Sequence, residues 1–117
     1  MPDTGLHLIK GTLDVLILKT LSWGPAHGYA ISRWIRQSSH DDLRIEEGAL
    51  YPALRRLEER GIVESEWRRL AETGREARVY RLTTVGQKSL RAEVAAWQRY
   101  VAAFARVLEA RPDGALA

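Results

Sequence analysis

A chain of 117 residues and 13.3 kDa suits a single domain and leaves no room for an enzyme domain beside a regulatory one. Its net charge of +3 and pI near 9.6 admit an anionic partner without requiring one. The lack of cysteine excludes disulfides and thiolate metal centres. No apolar run reaches membrane length, so neither a signal peptide nor a spanning helix is expected and the default location is cytoplasmic.

Residues 1–5 are expected to be disordered, with a first helix starting between Leu6 and Gly11. Ile9, Leu13, Leu16, Ile17 and Leu21 form one stripe of that helix, while Leu8, Val15 and Leu18 lie largely outside it. A helix this apolar should be covered on two sides, by its own domain and by a second subunit that would meet Leu13 and Ile17. Ser22-Trp23-Gly24-Pro25 stops it, because Gly24 can adopt a left-handed cap and Pro25 cannot continue a helix. A second helix, from about His27 to Gln37, should bury Ala30, Ile31, Trp34 and Ile35 and present Gly28 and Tyr29 in its first turn. The polar run Gln37 to Asp42 reads as a loop.

The stretch Glu46 to Ile62 carries the most information. Leu50, Ala53, Leu54 and Leu57 share one helical face, and Tyr51, Arg55, Arg56 and Glu59 share the other. Pro52 is tolerated only near a helix start, which puts the first turn at about Gly48 to Pro52, and Gly61 ends the helix. A helix entering the DNA major groove needs an apolar back and a base-reading front near its N-terminus. An ordinary amphipathic surface helix has the same pattern, so the flanking sequence must decide.

After Gly61 the period changes. Residues 62–68 and 77–82 are β-branched or aromatic and partly alternating, which predicts two antiparallel strands joined by a loop with Gly74 near its tip. Arg68, Arg69, Arg75, Arg78 and Arg81 outnumber Glu72 and Glu76 there, a local excess suited to phosphate contacts. Thr83 is a candidate N-cap for a last helix reaching about Ala110, before Pro112 and Gly114. On it Leu90, Val94, Trp97, Val101, Phe104 and Leu108 are spaced four, three, four, three, four, an a/d seam suited to a dimer interface. The expected architecture is mainly α with a small β-hairpin wing. A winged helix-turn-helix occupies residues 1–82, a dimerisation helix 83–110 and a disordered tail 111–117.

The run from Glu46 to Ile62, Glu-Glu-Gly-Ala-Leu-Tyr-Pro-Ala-Leu-Arg-Arg-Leu-Glu-Glu-Arg-Gly-Ile, closely resembles the third helix of the PadR family of bacterial winged-helix transcriptional regulators. Lys10-Gly11-Thr12-Leu13-Asp14, Gly24-Pro25-Ala26-His27-Gly28-Tyr29 and Tyr80-Arg81-Leu82-Thr83-Thr84-Val85-Gly86 are similar to that family's first helix, entry to the second, and last wing strand. The resemblance implies a homodimer on double-stranded DNA, most simply a repressor of a pseudo-palindromic operator, relieved by a small aromatic or hydrophobic effector.

Gly48, Tyr51, Pro52, Arg55 and Arg56 are then the groove-proximal candidates, with Arg75 and Arg78 on phosphate or in the minor groove. Solvated charge is the competing reading, and it is strongest for Arg69. Gly28 and Tyr29 can clamp a phosphate, or Tyr29 can be a partly buried core tyrosine. Trp97 can pack a subunit interface or line an effector slot; interface packing is favoured. Trp23, Trp34 and Trp67 are expected in the core or at its edge. Ser38 to Asp42 contains the residue types of a hydrolase triad, but contiguous residues cannot converge as a triad must. A weak metal site at His40, Asp41 and Asp42 loses to a solvated loop, and no glycine-rich phosphate loop occurs, so no enzyme, cofactor or metal is expected. The competing functional classes are a protein-binding winged helix and a ligand sensor without its own operator.

Overall fold

The computed structural model describes residues 11–114. The expected disorder of residues 1–5 and the start of the first helix before Gly11 lie outside those residues, as does the end of the tail, 115–117. The elements run α1 (Thr12–Leu21), β1 (Ala26–His27), α2 (Gly28–Ser38), α3 (Glu47–Glu59), β2 (Val63–Arg69), β3 (Glu76–Leu82) and α4 (Thr84–Glu109). Four helices and a small antiparallel sheet make the mainly helical winged fold that the sequence pattern predicts.

The core lies where α1, α2 and α3 cross and the sheet closes beneath them. Ile17 and Leu18 of α1, Ile31 and Ile35 of α2, and Leu50 and Leu54 of α3 are buried together, with Val63 and Tyr80 from the sheet. Ile17, expected to face a second subunit, is completely buried in the protomer's own core and has no surface left to offer. Thr20 is buried too, its hydroxyl donating to the Leu16 carbonyl at 2.8 Å. On α2 the buried line is Gly28, Ile31 and Ile35, one helical step away from Trp34, which reaches the surface while Ala30 is half-buried.

Helix ends follow local chemistry. At the end of α3 the Gly61 N–H donates to the Glu58 carbonyl and the Ile62 N–H to that of Leu57, with Gly61 at φ 72°. This is the left-handed termination its position requires. His40 does the same for α2 at φ 53°, and the Asp41 N–H donates to the Arg36 carbonyl at 2.8 Å. The polar run after α2 therefore terminates a helix. α3 begins at Glu47, so Pro52 lies in the second turn, beyond the expected first one, and the Gly48 carbonyl loses the N–H it would otherwise accept.

The sheet order is β1-β3-β2. β1 is a third strand beyond the expected pair, with Ala26 opposite Tyr80 and His27 opposite Val79. A two-stranded ribbon is marginal alone; β1 lengthens the sheet and ties the start of α2 to the wing. At the other end, the Thr83 hydroxyl oxygen accepts from the Gly86 N–H at 3.0 Å and its proton can reach the Gly61 carbonyl at 2.7 Å. Gly86 lies so close to the Ile62 carbonyl that a Cβ there would overlap it. Cap and contact together fix the departure of α4 from the domain.

Two of the tryptophans depart from expectation. Trp23 is 72% and Trp67 65% exposed. Trp23 stands on the turn after α1 with the Lys19 ammonium 5.3 Å from its ring, and Trp67 lies far along β2, past the helices, under the Arg78 guanidinium at 5.7 Å. Each ring lies beside a cation rather than in the core.

Candidate nucleic-acid interface

The front of α3 follows from its back. With Leu50, Ala53, Leu54 and Leu57 buried, Tyr51 and Arg55, one turn apart, point outward together. Arg55 is exposed and makes no ion pair among the described residues, so its five N–H donors are available. Arg56, 100° around the helix, turns instead toward α1, where its Nη2 donates to Asp14 Oδ1 at 3.4 Å. Both arginines are exposed, Arg55 facing outward and Arg56 leaning toward α1. Gly48 is exposed with open space where a Cβ would stand, and Pro52 is exposed beside Tyr51.

Gly28 and Tyr51 form one unit. A Cβ on Gly28 would stand 2.7 Å from the Tyr51 hydroxyl oxygen and 2.9 Å from its Cε1, so the phenol occupies the notch that the glycine leaves. The first turn of α2 therefore seats a side chain of α3. Tyr29 is 63% exposed, which removes the core reading. The guanidinium of Arg33, one turn along, lies 5.4 Å from its ring, and His27 stacks at 6.3 Å. Sequence reasoning passed over Arg33, although its i,i+4 spacing from Tyr29 was the available signal.

The wing divides in the same way as α3. Arg75 sits in the turn, where its N–H donates to Thr73 Oγ1 and its carbonyl accepts from Leu70 N–H at 2.7 Å, and its exposed side chain enters no ion pair among the described residues. Arg78 lies mid-strand opposite Trp67, with Nε donating to Ser65 Oγ at 2.8 Å and Nη2 3.6 Å from Glu58. Arg78 thus joins the wing to the C-terminal end of α3. Arg81 and Glu64 pair across the strands at 2.7 Å. The free positive charge in this region lies at the turn, the part of a wing that can reach a phosphate.

Electrostatics also link α3 to α4. Burial pushes the Glu93 carboxyl pKa up, the nearby Asp14 carboxylate adds to this, and Arg60 opposes it. Glu93 Oε2 is buried and accepts no hydrogen bond among the described residues. Asp14 therefore stands between Arg56 of α3 and Glu93 of α4. Burial likewise raises the Tyr80 phenol, the largest of several effects on it.

The C-terminal half of α4 leaves the domain and gives the molecule a longest dimension of 64 Å. Leu90, expected in a dimer seam, packs against the protomer's own core, whereas Val101, Phe104 and Leu108 are exposed, Leu108 by 71%. Trp97 meets Tyr100 edge-on at 5.5 Å, and Tyr100 meets Phe104 at 5.9 Å. Among the described residues, no helix is long and apolar enough to cross a membrane.

Residues 17–92 match the model of the transcriptional regulator PadR-like family. The chain belongs to this family. Solved structures agree: a transcriptional regulator from Clostridium thermocellum is 30% identical at a TM-score of 0.75, over 84% of this chain and 94% of that one. A PadR family transcriptional regulator from Eggerthella lenta is 33% identical at a TM-score of 0.72, covering 87% and 86%. A protein from Lysinibacillus sphaericus is 30% identical over 77% of this chain and 82% of its own length. As a PadR-like protein, the chain is a DNA-binding transcriptional regulator.

Proposed function

We propose that two copies of this PadR-like chain associate through the C-terminal half of α4 and bind a pseudo-palindromic operator as a repressor. The observation that carries the dimer is the bare stripe of Val101, Phe104 and Leu108 on a helix that has already left its domain. Isolated apolar side chains are ordinary on a protein surface, but a contiguous stripe continuing a buried seam marks an interface. Val94 and Trp97 extend it toward the domain, whereas Leu13, expected in the same seam, packs against the protomer's own core. A two-fold axis through α4 would present the two α3 fronts to half-sites about one helical turn apart, or a multiple of that.

In this reading Tyr51 and Arg55 face the major groove, Gly28 and Tyr29 hold a phosphate at the start of α2, and Arg75 reaches the backbone from the wing. Arg56 and Arg78 act through the protein, by positioning α3 against α1 and the wing against α3. The groove of about 690 Å³ along Trp97, Tyr100 and Phe104 is apolar and aromatic. Closed by a second copy, such a groove would suit a flat aromatic effector that relieves repression by shifting the angle between the two domains.

The test combines selection of genomic fragments by the purified chain with sedimentation. Operator fragments should show two related half-sites, and Phe104→Asp should yield monomers that lose operator affinity. Fragments without half-sites, or full affinity in a monomeric Phe104→Asp variant, would remove the dimeric reading.

A further inference from the structure

The turn that holds Trp23 carries an indole that neither the core nor α3 covers. The indole stands as a ridge between two grooves. One, of about 500 Å³, runs between the turn and the start of α4, floored by Leu21, Leu82 and Leu90 and edged by Arg81 and Arg91. The other, of about 240 Å³, runs along α2 past Ala30 and Trp34. No Asp or Glu lines either groove, and no residue of α3 or of the wing turn does.

Charge indicates what fits. Arg81 is neutralised by Glu64, but Arg91 makes no ion pair among the described residues, and Lys19 rests over the Trp23 ring. The surface thus combines an apolar floor with unneutralised cations. DNA would meet the cations and leave the floor uncovered. An acidic peptide with an apolar anchor satisfies both features, because a leucine or aromatic side chain can cover the floor while carboxylates reach Arg91 and Lys19.

We propose that the Trp23 surface docks an acidic segment of another protein, presenting a leucine or aromatic anchor, while the front of α3 and the wing turn stay free. The proposal goes beyond operator binding and is read without it. Its test pans a random peptide phage library on the immobilised full chain, then measures synthesised peptides by fluorescence anisotropy. Peptides rich in Asp and Glu around Leu, Phe or Trp should be enriched. Their affinity should fall about tenfold or more in Trp23→Ala, as expected for an aromatic anchor, and measurably in Arg91→Glu. Both positions are exposed, so the fold should survive, and DNA affinity should stay within about twofold. Failure to enrich acidic peptides, or equal binding of the enriched peptides by both variants, would overturn the proposal. A loss of DNA affinity in the variants would reassign the surface to nucleic acid, and a changed sedimentation coefficient would reassign it to a second copy; either result also overturns it.

Discussion

Gly28→Ala tests how α2 seats Tyr51 of α3. Alanine at the start of a helix gains up to about 1 kcal/mol in propensity over glycine, and less at the first position. Against that, the new Cβ would meet Tyr51 atoms at 2.7 to 3.0 Å, where ordinary contact begins at 3.4 Å. Tyr51 is exposed and can move, at an off-rotamer cost of roughly 0.5–1.5 kcal/mol. The two terms nearly cancel, so the thermal midpoint should change by less than about 5 °C. Operator affinity should still fall, because a phenol that leaves its seat loses the hydrogen bond it can make in the groove, worth roughly 0.5–1.5 kcal/mol, or about two- to tenfold in Kd. Titration of labelled operator measures this, and a cycle with Tyr51→Ala isolates the coupling. In the Tyr51→Ala background Gly28→Ala should cost almost nothing. An equal loss in both backgrounds would refute the seating of Tyr51 by Gly28.

Gly86→Ala should cost on the order of 3 kcal/mol, roughly 10 °C or more in midpoint, because the obstacle is the Ile62 backbone carbonyl rather than a movable side chain. Differential scanning calorimetry measures this, and an unchanged midpoint would contradict the packing at the root of α4. Glu93 gives a pH test. Its folded pKa is raised, so the folded state binds more protons there than the unfolded one, and stability falls as pH rises from the ordinary glutamate range through the raised value. Glu93→Gln should therefore raise the midpoint at neutral pH, and the gain should vanish in acid below the ordinary glutamate range; a gain independent of pH would show that ionisation is not its cause.

How much of this was readable from the chain depends on how local each cause is. The back of α3 followed from the spacing of Leu50, Ala53, Leu54 and Leu57, and both its end at Gly61 and the Thr83 cap of α4 followed from neighbours within a few residues. β1 escaped because two residues cannot show a period; only pairing with β3 makes them a strand. The partners of Arg56 and Arg78 were not legible, because Asp14 and Glu58 lie 42 and 20 residues away in the chain and meet them only in the fold. Ile17 and Leu90 carried the right apolar pattern for a seam, and a pattern does not say whether the surface it buries belongs to the same copy or another. Trp23 and Trp67 were misplaced because size and apolarity favour burial, whereas a turn and the outer part of a strand give an indole a cation to lie against instead.

The division of labour between α3 and the wing can be measured directly by mobility shift on a selected operator, its base-substituted variants and random DNA, at two salt concentrations. Binding by the wild-type chain should be salt-sensitive and survive random competitor. Arg55→Ala should change the ranking of operator variants by about 1–3 kcal/mol at one position. Arg75→Ala should weaken all sequences alike and reduce the salt slope by about 1. If both substitutions lower specific and random binding equally, Arg55 does not read the groove and α3 is not the recognition helix.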